Sequence, residues 1–114
     1  MDKSRPTILQ IIPGLDAGGA ERSVVEIAQA VTSAGGRALV LAEPGRLAAS
    51  LAAAGGELTP FPAGTKNPLR ILANARAIVR MVAAQGIDLI HARSRAPAWS
   101  ALIAARSARV PFVT

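Results

Sequence analysis

Two kinds of segment alternate along the chain. Short apolar runs, several of them rich in β-branched residues, predict five strands at positions 7–12, 38–42, 57–61, 87–92 and 110–114. Between them, apolar residues recur at helical spacing and predict helices at 20–34, at 45–54, from 68 to about 85, and from Pro97 onward. Because strand and helix alternate four times, we expect an α/β fold: a three-layer αβα, Rossmann-like parallel sheet.

The third helix has the strongest boundary signals. Asn67 is a favoured capping residue, Pro68 stands at the first helical position, and Gly86 follows the last residue of the pattern. On the fourth helix, Trp99 is predicted to pack in the core, with a hydrophobic contact to a ligand or partner as the alternative. No repeat or linker intervenes, so residues 1–114 are predicted to be one domain.

Composition narrows the possible classes of protein. With 51% apolar and 18% charged residues the chain is not of the disordered class, and without cysteine it has no thiolate site or disulfide framework. His91 is the one histidine, which argues against an all-protein zinc site. The apolar stretch near the start is too short for a signal peptide, and no run approaches the roughly 20 residues of a membrane span. We therefore expect a cytoplasmic protein.

The chain is strongly basic, with 13 Lys and Arg against 7 Asp and Glu and a net charge of +6. This balance predicts an anionic partner, which could be nucleic acid, an anionic membrane face or a phosphorylated small molecule. A general Arg-rich and Ala-rich compositional bias is the alternative explanation. Since aromatic residues are only 3% of the chain, stacking on nucleic acid bases is disfavoured.

The loop after the first strand is the first candidate site. Gly18 and Gly19 precede the predicted helix, where bare backbone N–H groups and the helix dipole favour a phosphate. The alternative is a tight strand–helix turn that binds nothing. Gly14, Gly18 and Gly19 do not have the dinucleotide spacing G-x-G-x-x-G. Glu43, at the end of the second strand, still keeps a ribose-binding, nicotinamide-type function open.

The end of the fourth strand is the second candidate site. His91, Arg93, Ser94 and Arg95 come together there before a helix expected to begin at Pro97. Strand alternation puts His91 and Arg93 on one side if the chain stays extended that far. Forked arginines could hold a carboxylate or phosphate of a substrate. The alternative is a histidine bonded within the core beside two solvated arginines.

Taken together, these loops resemble the GT-B glycosyltransferases of the large retaining "group 1" type, family 4. The segment ILQIIPGLDAGGAER at 8–22 is similar to the family's opening strand and its Gly-Gly-Ala/Thr-Glu loop. GIDLIHA at 86–92 resembles its fourth strand, and RVPFVT at 109–114 resembles the strand that follows. The resemblance covers nearly the whole chain but only about the amino-terminal third of such an enzyme. We therefore expect a fragment, residues 1–114, that lacks a carboxyl-terminal donor domain and is inactive alone.

The resemblance implies how such a domain would work. Two Rossmann-like domains would face each other across a cleft, with a nucleotide-sugar donor and without a metal or other cofactor. Gly18 and Gly19 would lie near the donor diphosphate. His91 and Arg93 would be catalytic, and Arg93, Ser94 and Arg95 would contact the acceptor.

Position 93 departs from the family pattern, because many members carry a histidine there; Arg93 indicates an acidic or phosphorylated acceptor. The implied function is sugar transfer to a cell-envelope saccharide or lipid-linked acceptor, with peripheral contact to an anionic membrane and none to nucleic acid. A stand-alone nucleotide- or dinucleotide-binding module and a non-catalytic interaction domain are the alternatives.

Overall fold

The computed structural model describes residues 5–14, 19–93 and 95–113, and within them all side chains except those of residues 19–21, 95 and 96. Strands and helices alternate throughout this part of the chain. The strands are β1 (Thr7–Gly14), β2 (Arg37–Glu43), β3 (Glu57–Pro60), β4 (Leu89–Ala92) and β5 (Phe112–Val113). The helices are α1 (Gly19–Ser33), α2 (Ala48–Ala53), α3 (Pro68–Gln85) and α4 (Arg95–Ala108).

The five strands form one parallel sheet in the order β3-β2-β1-β4-β5. This confirms the predicted α/β, Rossmann-like fold class. The chain builds the sheet outward from β1 to β3, then crosses back to add β4 and β5 on the other side. The strand order therefore switches direction between β1 and β4, the place where open α/β sheets bind ligands.

Each face of the sheet buries its own core. One face packs against α3 and α4 through Leu9, Ile11, Leu39, Leu41, Ile90 and Ala92 of the strands and Ala75, Ile78, Ala101, Ala104 and Ala105 of the helices. The opposite face packs against α1 and α2 through Ile12, Ala38, Val40, Ala42, Val24, Ala28 and Leu51. Alternate residues of β1 serve the two cores, as the period of two in a strand requires.

The predicted boundaries of α3 are confirmed. The Asn67 side chain accepts a hydrogen bond of 3.0 Å from the backbone N–H of Leu69, and Pro68 begins the helix. Gly86 ends it in the left-handed conformation at φ 66°, and its N–H donates to the carbonyl of Val82 at 3.0 Å. Both ends are thus stabilised by residues that the sequence places there.

Four predicted starts were wrong by two or three residues, those of the second helix, β4, the fourth helix and β5. The second helix begins at Ala48 rather than at 45, after a turn, and β4 begins at Leu89 rather than at 87. Just before β4, Asp88 pairs with the start of β1: its N–H donates to the Thr7 carbonyl and its carboxylate accepts from the Thr7 N–H, each at 2.8 Å. A side chain therefore replaces one bond of the regular strand ladder there.

The fourth helix begins at Arg95, two residues before the predicted start at Pro97. Proline is compatible with the first turn because the N–H groups there have no partner within the helix. The last strand is shorter than predicted and comprises Phe112–Val113, with residue 114 outside the described part of the chain.

The prediction that Trp99 packs in the core is wrong. Its side chain is 60% exposed on the outer surface of α4. The side of the helix that meets the sheet is occupied by Ala101, Ala104 and Ala105, whose small side chains let the helix approach the sheet closely. The indole is therefore directed away from the sheet and lines a surface groove with Leu72 and Ile103.

At the edge of the sheet opposite the strand carboxyl ends, Arg37 connects three elements. Its guanidinium forms a forked ion pair with Glu57, with Nη2 2.8 Å from Oε1 and Nε 3.1 Å from Oε2, and Nη1 donates to Oε1 of Gln85 at 3.1 Å. This cluster joins β2, β3 and the end of α3. In the described part of the chain, no helix is both long enough and apolar enough to cross a bilayer.

Candidate functional site

The candidate site lies at the carboxyl ends of β1 and β4, where the strand order changes direction. Gln10 of β1 and His91 of β4 are partners in the parallel register. Their neighbours Leu9, Ile11 and Ile90 belong to the core under α3 and α4, so alternation places Gln10 and His91 on the face covered by α1. At this point the sheet is thus polar on the face covered by α1 and apolar on the face covered by α3 and α4.

His91 is half-buried on the face of the sheet that α1 covers. Its burial, and then the positive charge of Arg93, lower the pKa of the imidazole below its usual value of about 6.5. At neutral pH the ring is therefore uncharged, with one nitrogen able to donate and the other able to accept a hydrogen bond. Such a ring can orient a hydroxyl group without adding charge.

Arg93 continues the strand pattern one residue past β4. Its backbone N–H donates to the Ile11 carbonyl at 2.9 Å, which extends the ladder and keeps the chain extended. The chain is thus extended through Arg93, which is the condition under which strand alternation puts His91 and Arg93 on one side. The Nε atom of Arg93 is buried and has no hydrogen-bond partner. A buried guanidinium nitrogen without an acceptor is costly, which favours an anionic ligand at this point.

Gln10 is a candidate site residue that the sequence reasoning missed. It is 1% exposed, and its Nε2 donates to the Val24 carbonyl of α1 at 3.2 Å. Its Oε1 is buried without a partner. One amide in the apolar run 7–12 was the signal that could have identified it, because a buried polar side chain needs a reason to be there.

The other predicted site residues are placed only in part. Gly19 is the first residue of α1, so the predicted glycine loop does lead into a helix N-terminus beside the end of β1. Gly18 and Ser94 lie outside the described residues. Arg95 is the first residue of α4, at the same sheet edge as Arg93. His91, Arg93 and the start of α1 thus lie at the same edge of the sheet, the one formed by the strand carboxyl ends.

The remaining strand ends border the site. Glu43 is exposed at the end of β2 and is the register partner of Gly14. The loop after β3 lies against the end of β1, since a Cβ added at Gly64 would be 3.3 Å from Cβ of Pro13. Asn74 of α3 holds this loop by donating from Nδ2 to the Pro62 carbonyl at 3.0 Å. The edge is therefore bordered by Glu43 and by the loop after β3, with the ends of β1 and β4 at its centre.

The chemistry of this edge is that of anion and hydroxyl recognition. Arg93 supplies a fixed positive charge, His91 a neutral imidazole, and the start of α1 the partial positive charge of a helix N-terminus. Among the described residues, no three His, Asp or Glu side chains come together in a way that could hold a metal ion. The arrangement suits a phosphorylated substrate bound through main-chain amides and a guanidinium.

The strand order defines a Rossmann-like domain whose candidate ligand edge lies at its topological switch. The chain belongs to Glycosyltransferase Family 4, whose model matches residues 17–114. This confirms the predicted relation to the GT-B glycosyltransferases of the family-4 type.

Solved structures agree with this placement. The chain is similar to a glycosyltransferase from Rickettsia africae ESF-5, with 33% identity and a TM-score of 0.85 over 95% of this chain. It spans only 28% of the length of that protein. It also shares its fold with the C-terminal domain of a hydrogenase from Pyrococcus furiosus, at 17% identity and a TM-score of 0.64, covering 94% of this chain and 88% of that one. No curated protein matches the sequence.

Proposed function

We propose that this chain is the amino-terminal, acceptor-binding domain of a glycosyltransferase. In this proposal a sugar passes from a nucleotide-sugar donor to a cell-envelope saccharide or a lipid-linked acceptor on the cytoplasmic side. A second Rossmann-like domain, facing the strand carboxyl ends, would bind most of the donor. Family membership supports the general activity, and the side chains at the switch point support the choice of acceptor.

The observation that carries the proposal is the position of His91 in β4 and of Arg93 directly after it, where the strand order changes direction. The two groups lie within electrostatic reach of each other, one neutral and one charged. A neutral imidazole suits a sugar hydroxyl, and a guanidinium with an unpartnered, buried Nε suits a phosphate or carboxylate. An acceptor that carries both groups, such as a phosphorylated or acidic saccharide, fits this pair.

The donor diphosphate is proposed to meet the chain at Gly18 and Gly19. Gly19 begins α1, and its backbone N–H belongs to the group that has no acceptor inside the helix. Main-chain amides at this position would stabilise the charge that develops on the leaving phosphate. In this scheme Arg93 and the main-chain amides stabilise the negative charge of the substrates, and no metal ion is required.

The test is a transfer assay with the full-length protein and a panel of nucleotide-sugars, each with a phosphorylated and an unphosphorylated saccharide acceptor. We expect turnover with at least one donor and a preference for the phosphorylated acceptor. Gly19→Val keeps the backbone N–H but places a branched side chain where the diphosphate would approach, so kcat should fall about a hundredfold, as when an oxyanion donor can no longer reach its acceptor. The unfolding midpoint should change much less.

Two outcomes would count against the proposal. Equal losses of turnover and stability in Gly19→Val would favour the plain strand–helix turn. Tight binding of NAD, abolished by Glu43→Ala, with no affinity for any nucleotide-sugar, would favour the stand-alone dinucleotide-binding module.

A further inference from the structure

Gln10 is a fully buried amide of which only one end is bonded. It is 1% exposed in β1, and its Nε2 donates to the Val24 carbonyl of α1 at 3.2 Å. Its Oε1 is also buried and has no hydrogen-bond partner among the residues that the structure describes. A buried acceptor without a donor lowers stability, so a native fold rarely keeps one without a reason. The centre of the sheet thus holds an acceptor that calls for a donor.

The neighbours of Gln10 in the sheet narrow the choice of donor. Because β1 lies between β2 and β4, Gln10 has a register partner on each side, Val40 of β2 and His91 of β4. Val40 is buried in the apolar core under α1 and α2, as is Ile12, which lies on the same face of β1. Adjacent strands are only about 4.8 Å apart. Of these three neighbours, His91 is the one whose side chain can donate to Oε1.

The neighbours of His91 lead to the same pair from the other side. Its register partners are Gln10 and, on β5, Val113. The residues two positions before and after it along the chain are Leu89 and Arg93. An aliphatic side chain has no acceptor, and a guanidinium has donors only. A neutral imidazole has one N–H that needs an acceptor, and of these four described neighbours Gln10 offers the side-chain oxygen.

Arg93 is the competing donor for Gln10 Oε1. Its Nε is likewise buried and without a partner in the described part of the chain. It lies two residues beyond the register partner of Gln10, however, which is roughly 7 Å further along an extended strand. His91 stands directly beside Gln10, so its ring has the shorter distance to cover.

We infer that Gln10 is a positioning residue that fixes the tautomer of His91. In this assignment Oε1 accepts from one ring nitrogen, which must carry the proton, and the other nitrogen keeps a bare lone pair. The bond to Val24 holds the amide so that its NH2 group is not free to turn toward the ring instead. The backbone already places the two residues side by side. The bond therefore needs only a turn of the imidazole about χ2, a torsion with a broad minimum.

The consequence for recognition rests on the proposed function. A bare ring nitrogen accepts a hydrogen bond and cannot donate one, so it favours a hydroxyl over a carbonyl or a deprotonated phosphate oxygen. His91 would then take a hydroxyl of the saccharide acceptor and leave the anionic group to Arg93. Burial lowers the pKa of His91 and keeps the ring uncharged at neutral pH, as this division requires. Gln10 touches no substrate and acts through His91.

The experiment measures the tautomer by nitrogen NMR of the full-length protein labelled with ¹⁵N-histidine. Spectra are recorded without substrate at about pH 8, above the usual imidazole pKa, and the His91 signals are identified by their loss in His91→Asn. Protonated and bare ring nitrogens differ in chemical shift, so the spectrum gives the ratio of the two tautomers. Gln10→Met keeps the length of the side chain but lacks the amide. We expect it to change the ratio about threefold to tenfold, the factor that one net hydrogen bond supplies.

A matched variant separates the acceptor from the packing around it. Val40→Ala disturbs the same core on the other side of Gln10 and keeps the amide, so the tautomer ratio should stay unchanged. Gln10→Leu also lacks the acceptor and replaces Gln10→Met if that variant does not fold. An unchanged ratio in the variant without the amide would overturn the assignment and leave Oε1 to Arg93 or to a water molecule. An equal change in Val40→Ala would overturn it as well, because the ratio would then follow packing.

Kinetics of the full-length protein test the consequence. If His91 binds an acceptor hydroxyl, Gln10→Met should lower kcat for sugar transfer several-fold and leave hydrolysis of the nucleotide-sugar nearly unchanged. The tautomer ratio needs no substrate, so the two proposals fail separately. Absence of transfer in the wild type would refute the proposed function and leave the tautomer result standing. An unchanged tautomer ratio in an active enzyme would refute the role of Gln10 alone.

Discussion

Gln10 and His91 face each other across the boundary between β1 and β4, at the point where the strand order reverses. One is fully buried and bonded to α1, and the other is half-buried beside Arg93. Two polar side chains in the middle of an apolar sheet lower its stability unless they are fully bonded. Gln10 Oε1 has no partner, so the buried amide is held by its bond to Val24 alone, and of the two side chains only the half-buried His91 has surface that a ligand could reach.

Replacing Gln10 by leucine should therefore separate stability from activity. The change removes a buried, unpaired acceptor and keeps the approximate volume, so the free energy of unfolding should stay equal or rise by up to about 1 kcal/mol. Turnover in the transfer assay should fall at least several-fold. Urea unfolding and initial-rate kinetics measure the two quantities. A variant that is markedly less stable yet fully active would show that Gln10 serves only the fold.

Replacing Arg93 by glutamine should affect acceptor use selectively. Losing a hydrogen-bonded charge at a binding site costs about 1.5–3 kcal/mol, so we expect the KM for a phosphorylated acceptor to rise about 10-fold to 100-fold. Hydrolysis of the donor should be nearly unchanged, because the diphosphate is proposed to bind at α1. Arg93→Lys should recover only part of the loss, since lysine lacks the fork. The exposed Arg46→Gln is the matched control, and an unchanged acceptor KM would dismiss the assigned role.

His91 should lower the stability of the fold as pH drops through about 6.5, the usual pKa of an imidazole. Burial and Arg93 lower the pKa of His91 in the folded state, whereas the unfolded chain has the usual value. The unfolded state therefore takes up protons first, and the free energy of unfolding falls as pH drops below about 6.5, while above it the full stability is present. His91→Asn should remove this part of the pH dependence, measured by urea unfolding.

A control for His91 uses its neighbour. In Arg93→Gln the charge that opposes protonation is gone, so the His91 pKa should rise, as read from the imidazole proton shifts. The pKa of the Glu57 carboxyl is lowered by its hydrogen bonds from Arg37, and the stability that this pairing adds is lost only at more acidic pH. The two titrations are therefore distinguishable, and a His91 pKa that does not respond to Arg93→Gln would contradict their proximity.

Two residues of α3 should respond very differently to truncation. Ile78 is completely buried in the core under α3 and α4, and Leu72 is half-exposed on the outer surface. Ile78→Ala should cost about 2–5 kcal/mol of stability. Leu72→Ala should cost about 0.5 kcal/mol or less. Equal costs, measured by urea unfolding, would mean that Leu72 is buried in solution.

Gly36 should tolerate no side chain. A Cβ there would be 2.7 Å from the Pro6 carbonyl oxygen and 2.9 Å from Cγ1 of Val31, and the Arg37 N–H bonds to that same carbonyl at 2.9 Å. Gly36→Ala should lower the free energy of unfolding by about 1–3 kcal/mol. Gly14→Ala, where the nearest atom is the Glu43 carbonyl oxygen at 3.8 Å, should be almost neutral and serves as the control.

Much of the fold is predictable from the sequence because the periods of two and 3.6 are both clear. The alternation of strands and helices leaves few topologies, and Asn67, Pro68 and Gly86 mark α3 by backbone requirements alone. Trp99 was misplaced because apolar spacing does not tell which side of a helix meets the sheet. On α4 the alanines face the sheet, and the larger side chains of Trp99 and Ile103 lie on the outer surface.

The candidate site was only partly predictable. His91 and Arg93 follow from strand alternation, since their placement needs no tertiary information. Gln10 needed the pairing of β1 with β4, which joins residues 81 positions apart in sequence. A long-range pair of this kind leaves no local pattern, so only the mismatch of an amide within an apolar run hinted at it.

The hydrogen-bonded cluster of Arg37, Glu57 and Gln85 joins β2, β3 and α3 at the edge of the sheet far from the candidate site. Thr7 and Asp88 fasten β1 to the chain before β4 at that same edge. Side-chain hydrogen bonds thus join the elements at the edge of the sheet opposite the candidate site. Insertions or substitutions in the loops at the carboxyl ends of the strands could change which molecules are bound without disturbing these hydrogen bonds. One fold would then serve many specificities.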